Sequence, residues 1–119
     1  MTLSEVAAEL VAGCREGRAR ANLQVLYAAD AVSVEAMDMG QGRETHGLAG
    51  IDGKHQWWED NHDVTGGDVK GPYMSGDDKF AVFFAVEGTN KADGKAFSMA
   101  EVGIYLVKDG KIVREEFYY

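Results

Sequence analysis

The stretch "KFAVFFAVEGT" (Lys79–Thr89) decides the fold. Side chains alternate across a strand, so Phe80, Val82, Phe84 and Val86 share one side and Ala81, Phe83 and Ala85 the other. Both sides are apolar. The same alternation continues outward, into "DVKGPYM" (Asp68–Met74) upstream and "AFSMAEVGIYLV" (Ala96–Val107) and "KIVREEFYY" (Lys111–Tyr119) downstream. Asp109-Gly110 between the last two segments is a two-residue hairpin signal. The second half of the chain therefore reads as four successive strands.

Towards the N-terminus the period changes. Thr2 and Glu5 have capping-box spacing, and Val6, Leu10 and Cys14, with Ala7 and Val11, form one apolar stripe that Gly17 ends. A second short helix is expected around Arg20 to Tyr27, burying Leu23, Leu26 and Tyr27. "AVSVEAM" (Ala31–Met37) reads as a strand, and a glycine-punctuated loop from Gly40 to Gly47 leads into a helix from about Leu48 to Asn61. The order is α-α-β-α-β-β-β-β, in one domain over residues 1–119. Without strand–helix alternation a doubly wound parallel sheet is disfavoured, and the class is α+β, with helices on one face of a curved, mostly antiparallel sheet. Helices cover only one sheet face, so the second apolar face of Lys79–Thr89 calls for a partner subunit. A homodimer through the outer sheet face is expected, with Glu101, Tyr105, Arg114 and Tyr118 at or near the interface.

Charge narrows the partners. The formal net charge is -8, and 12 Lys and Arg are scattered among 20 acids, so neither nucleic acid nor an anionic membrane surface is expected as a partner. No apolar run approaches ~18 residues, the length that spans a bilayer. "MTLSEVAAEL" does not read as a secretory leader, and the lone Cys14 fits a reducing cytoplasm. Glycine-bearing "MGQG" and "GGDVKG" lack the strand–loop–helix context of a phosphate cradle, so no cofactor is expected.

Three segments, "YAADAVSVEA" (Tyr27–Ala36), "HGLAGIDGKHQWW" (His46–Trp58) and "VKDGKIVREEFYY" (Val107–Tyr119), resemble the SnoaL-like proteins of the nuclear transport factor 2-like superfamily. That superfamily also holds ketosteroid isomerase and scytalone dehydratase. The resemblance implies a cone-shaped α+β barrel with one deep pocket, usually dimeric, and leaves the activity open, because the fold hosts many chemistries. Matched residue by residue to ketosteroid isomerase, Glu35 falls at the general-base position. A carboxylate in an apolar pocket is a reasonable proton shuttle, since burial disfavours its charge, and no cation stands near Glu35 in the sequence. Val11 and Val102 fall where that enzyme keeps its two oxyanion donors. Neither can donate, so they would only line the pocket.

In "IDGKHQWWEDNH" (Ile51–His62), Ile51, His55, Trp58 and His62 lie within about 60° on a helical wheel. His55 and Trp58 can be core, pocket wall or, with Glu59 and His62, metal ligands. The spacing is not His-Glu-x-x-His, and no metal is expected. Simple pairing across Asp109-Gly110 sets Leu106 opposite Val113, Ile104 opposite Glu115 and Val102 opposite Phe117. By resemblance Val113, Glu115, Phe117 and Tyr119 then face the concave side, unless a bulge swaps the parity and sends Glu115 to solvent. His46 falls in a loop at the expected pocket mouth, and Cys14 reads as an inert core thiol.

Two functions follow as expectations. One is a pocket protein that binds a small apolar organic molecule, with Val11, His46, Trp58, Val102, Phe117 and Tyr119 as lining. The other is a small acid–base enzyme, an isomerase, cyclase or dehydratase, with Glu35 as proton carrier and His55, Glu115 or Tyr119 beside it.

Overall fold

The computed structural model describes residues 1–38 and 40–119. The elements run α1 (Leu3–Glu16), α2 (Asn22–Leu26), β1 (Tyr27–Val34), β2 (Glu44–His46), α3 (Leu48–Asn61), β3 (His62–Ser75), β4 (Lys79–Asn90), β5 (Ala96–Lys108) and β6 (Lys111–Tyr118). One six-stranded sheet has the order β2-β1-β6-β5-β4-β3, and β1 with β6 is its parallel pair, the others being antiparallel. The α+β class is as expected. The sheet stays open, with β2 and β3 as its edges, and does not close into a barrel.

Local chemistry explains the helices. Thr2 and Glu5 form the capping box, and Gly17 ends α1 in the left-handed region at φ 75°. Arg15 donates to the Val69 carbonyl oxygen (2.7 Å), tying α1 to β3, and Arg20 clamps Asp52 through two bonds of 2.7 and 3.0 Å, tying the start of α2 to α3. Val6, Leu10 and Val11 of α1, Leu23 and Leu26 of α2, and Ile51 of α3 close over Phe80, Val82, Tyr105 and Ile112 of the sheet to make the core. Phe80 is fully buried and stacks on Tyr105, with centroids 4.9 Å apart.

Four departures matter for the site. A short edge strand, β2, lies inside the expected Gly40–Gly47 loop and pairs with β1. β1 begins at Tyr27 and ends at Val34, so Glu35 stands just beyond it, its backbone N–H donating to the Arg43 carbonyl oxygen at 2.8 Å. β3 starts directly at His62, well before the expected Asp68, because it pairs along the whole length of β4.

The fourth is the last hairpin. Lys108 pairs with Lys111 and Val107 with Ile112 as a two-residue turn dictates, but the register then slips and Leu106 meets Arg114. The extra residue, Val113, makes a bulge, and every pair beyond it shifts by one. Tyr105 therefore opposes Glu115, Gly103 opposes Phe117 and Val102 opposes Tyr118. Glu115 stays inside as expected, and β5 is the strand whose parity reverses. Glu101 and Tyr105, expected on the dimer face, are on the concave side with Phe84 and Phe80. Val102, expected in the pocket, is on the outer face beside Phe83.

Candidate functional site

The bulge brings a polar cluster into the concave face. Glu115 is 4 % exposed, and its two oxygens accept from the Tyr27 hydroxyl and from Ser33 Oγ, the latter at 2.7 Å. Ser33 is fully buried on β1, next to Glu115 in the parallel pairing. Its hydroxyl accepts from Lys54 Nζ at 2.8 Å. Lys54 Nζ also stands 2.5 Å from Glu35 Oε1, and Glu35 Oε2 accepts from the Tyr119 hydroxyl at 3.0 Å. The result is one chain of contacts, Tyr27–Glu115–Ser33–Lys54–Glu35–Tyr119, running from the sealed core to a half-exposed C-terminal residue.

Lys54 overturns the expectation that Glu35 lacks a cation. It sits three residues after the buried Ile51, on the flank of α3, and its long stem carries the ammonium under the helix towards the sheet. The ammonium lies 5.8 Å from the centroid of the Phe117 ring. Glu35 is thus an ion-paired carboxylate.

Glu101 is an acid that sequence reasoning left out of the site and assigned to the dimer face. It points into the concave side from β5, opposite Phe84. Burial pushes its carboxyl from the ordinary 4.5 up to about 7; the negative charges of Glu35 and Glu115 push the same way, and Lys54 opposes them. Burial also raises Glu115, against the pull of its bonds from Tyr27 and Ser33. Three carboxylates and one ammonium therefore act on one another here, with Glu101 poised to exchange a proton near neutral pH.

Of the remaining expected site residues, Phe117 joins the cluster beneath Lys54, edge-on to Tyr105. Val11 is buried in the core of α1. His55 is half-buried, and burial lowers its pKa, but the charges around it are Asp52, Glu59, Lys54 and Arg20, not Glu35 or Glu115. Trp58 belongs to a separate aromatic group at the end of α3, stacked on His62 (centroids 3.8 Å apart) with Phe97 edge-on. His46 is exposed on β2 and bonds Glu44 at 3.0 Å, away from the cluster. His62 Nδ1 lies 3.0 Å from the Trp58 carbonyl oxygen, and no three His, Cys, Asp or Glu side chains converge as metal ligands among the described residues. Cys14 is half-buried, and burial pushes its thiol up to about 11, which keeps it un-ionised.

Among the described residues, the expected deep pocket is not formed over the cluster. Two open recesses, one beside Thr65, Glu87 and Phe97 and one beside Asp30, Asp109 and Val113, lie away from the cluster. Above the cluster, Phe84, Val86, Met99, Glu101 and Phe117 are half-exposed on the concave face, which leaves it an open trough.

Residues 1–119 match the SnoaL-like domain. The chain belongs to the SnoaL-like family. Its fold is shared over both full lengths (100% of each chain) with a protein from Mesorhizobium loti, 41% identical at a TM-score of 0.93, that carries the provisional name SnoaL-like polyketide cyclase with carbohydrate phosphatase in brackets. A provisional polyketide cyclase from Pseudomonas putida is 22% identical at a TM-score of 0.71, covering 100% of this chain and 92% of that one. A nuclear transport factor 2-like protein from Burkholderia thailandensis is 18% identical at a TM-score of 0.81, covering 99% and 90%. These last two show the fold alone. No curated protein matches the SnoaL-like chain. None of its helices is long and apolar enough to cross a membrane among the described residues.

Proposed function

We propose that this SnoaL-like protein is an enzyme of acid–base chemistry on a small, largely apolar organic molecule, with Glu101 as the proton carrier. One observation carries the reading: a half-buried carboxyl on the concave face, held at about 7 by burial and by the charges of Glu35 and Glu115. A general acid–base group works best when its pKa lies near the working pH. Glu35, the residue favoured by sequence, becomes the ion-paired partner that fixes Lys54. The half-exposed Phe84, Val86, Met99 and Phe117 give an apolar substrate its contact area.

The cyclase name of the Mesorhizobium loti protein agrees with this class of chemistry. Its bracketed phosphatase name fits this chain poorly, because Glu35, Glu101 and Glu115 would repel a phosphate and Lys54 alone opposes them. Binding without catalysis is the second reading. It is favoured by the way Tyr27, Ser33 and Lys54 already satisfy Glu115 and Glu35.

The two readings separate in deuterium oxide. The enzyme should exchange the acidic C–H protons of some members of a panel of small apolar ketones, faster than buffer does, and Glu101→Gln should lose this. Binding of the ketones with no exchange by the native protein would leave the binding reading in place. We further propose that the outer face, where Phe83, Val102 and Tyr118 lie side by side, is covered by a second copy of the chain.

A further inference from the structure

Arg20 grips more of α3 than Asp52. Its Nε and one terminal nitrogen hold the two Asp52 oxygens at 2.7 and 3.0 Å, and the other terminal nitrogen donates to Gln56 Oε1 at 2.8 Å and Glu59 Oε2 at 3.0 Å. Asp52, Gln56 and Glu59 stand at i, i+4 and i+7, so one guanidinium holds a single flank of α3 over two turns. An isolated exposed ion pair is worth little, but a fork with two further partners fixes a geometry. Arg20 is itself anchored. Its carbonyl oxygen accepts from the Leu23 N–H at 3.2 Å where α2 opens, and Asn22 pins α2 to α1 by donating from Nδ2 to the Glu9 carbonyl oxygen at 3.2 Å. Gly13 leaves room for that contact, since a Cβ there would overlap Asn22 Nδ2. By contrast α3 has little else to set its rotation. Ile51 is its one buried residue among those described, Gly50 and Gly53 present no side chain, and the helix starts at Gly47 without a side-chain cap. At about 100° per residue, Lys54 lies roughly 150° round the helix from the Arg20 stripe, with Ile51 between them. The helix is therefore held at both flanks, by Arg20 on one and by the Lys54 ammonium on Ser33 and Glu35 on the other.

We infer that Arg20 is a positioning residue for the acid cluster: its grip fixes the rotation of α3 about Ile51 and so keeps Lys54 against Ser33 and Glu35. What this does for a reaction rests on the acid–base reading of Glu101, and what it does for Lys54 does not. The charges that act on Glu101 are Glu35, Glu115 and Lys54, with the phenols of Tyr105 and Tyr119 in the same field. Arg20 acts instead on Asp52, Glu59 and His55. An effect of Arg20 on Glu101 must therefore pass through Lys54. When the grip is lost, Lys54 withdraws, its favourable charge leaves Glu101, and the negative charge of Glu35 is no longer offset. Both changes make the Glu101 carboxylate harder to form. Simple loosening of the fold works in the opposite direction, because water entering the concave face lets Glu101 ionise more readily.

Carbon-13 NMR of the Glu101 carboxyl reads that sign. Arg20→Met, which keeps the stem and removes the fork, should raise the Glu101 midpoint by roughly half a pH unit or more, as Lys54→Met does. In a protein that already carries Lys54→Met it should add nothing further. Asp52→Asn, which takes the charge from the other side of the fork, should raise the midpoint in the same way and carries the test if Arg20→Met fails to fold. An unchanged midpoint, a fall towards 4.5, or a shift that persists alongside Lys54→Met would overturn the inference. Ketone exchange in deuterium oxide separates this role from that of Glu101. A midpoint that responds to Arg20→Met in a protein that exchanges no ketone would uphold the positioning role and reject Glu101 as proton carrier. Ketone exchange that is lost in Glu101→Gln but indifferent to Arg20→Met, with the midpoint unmoved, would do the reverse.

Discussion

Replacing Glu101 by Gln should stabilise the protein, and only above the acid range. Burial and the charges of Glu35 and Glu115 raise the Glu101 carboxyl from 4.5 to about 7 in the folded state. The folded protein therefore holds this proton more tightly than the unfolded chain does. Below 4.5 both states are protonated and the group is neutral to stability. Between 4.5 and about 7 the unfolded chain releases its proton first, so stability falls as pH rises, and above about 7 the loss is complete. At ~1.4 kcal/mol per pH unit that rise is worth at most ~3 kcal/mol, and the partial exposure of the side chain brings it to on the order of 2 kcal/mol. Gln keeps the shape and never ionises. Urea unfolding followed by the fluorescence of Trp57 and Trp58 should show native and Glu101→Gln proteins equally stable near pH ~4, with the variant ahead by on the order of 2 kcal/mol near pH ~8. A difference independent of pH, or a variant less stable at the higher pH, would refute the placement of Glu101 as a buried acid without its own ion pair.

Phe80→Ala should cost about 3–5 kcal/mol in the same assay, because Phe80 is fully buried and its ring stack with Tyr105 would be replaced by a cavity. Tyr27→Phe leaves one oxygen of the buried Glu115 without its donor and should cost about 1–3 kcal/mol, with the ring packing unchanged. Sedimentation at micromolar concentration should give twice the 12.9 kDa chain mass, and Phe83→Glu on the outer face should return a single chain.

The sequence was most informative where periodicity is strong. α3 runs from Leu48 to Asn61 as its pattern indicates, and the capping box and Gly17 bound α1. β2 was invisible because three residues in a polar, glycine-flanked loop become a strand only by pairing with β1. The early start of β3 was hidden by Gly66 and Gly67, which have low strand propensity but pair fully with β4. The site depended on a detail that no residue type announces. The bulge at Val113 lies inside an alternating run without a Gly or Pro to mark it, and it alone turns Glu101 and Tyr105 inward and Val102 outward. Lys54 could have been found, since its place three residues after Ile51 sets it on the flank of the apolar face, where a long side chain reaches inward. Glu115 was placed on the concave side, but its donors Tyr27 and Ser33 are 88 and 82 residues away in the chain, a distance over which pattern carries no signal.

A carbon-13 NMR titration of the glutamate carboxyls tests most directly the claim that the concave face holds a proton carrier poised for neutral pH. One resonance should titrate with a midpoint of about 7, vanish in Glu101→Gln, and move to higher pH in Lys54→Met as the compensating charge is removed. A Glu101 resonance that titrates at the ordinary 4.5 and ignores Lys54→Met would contradict the account.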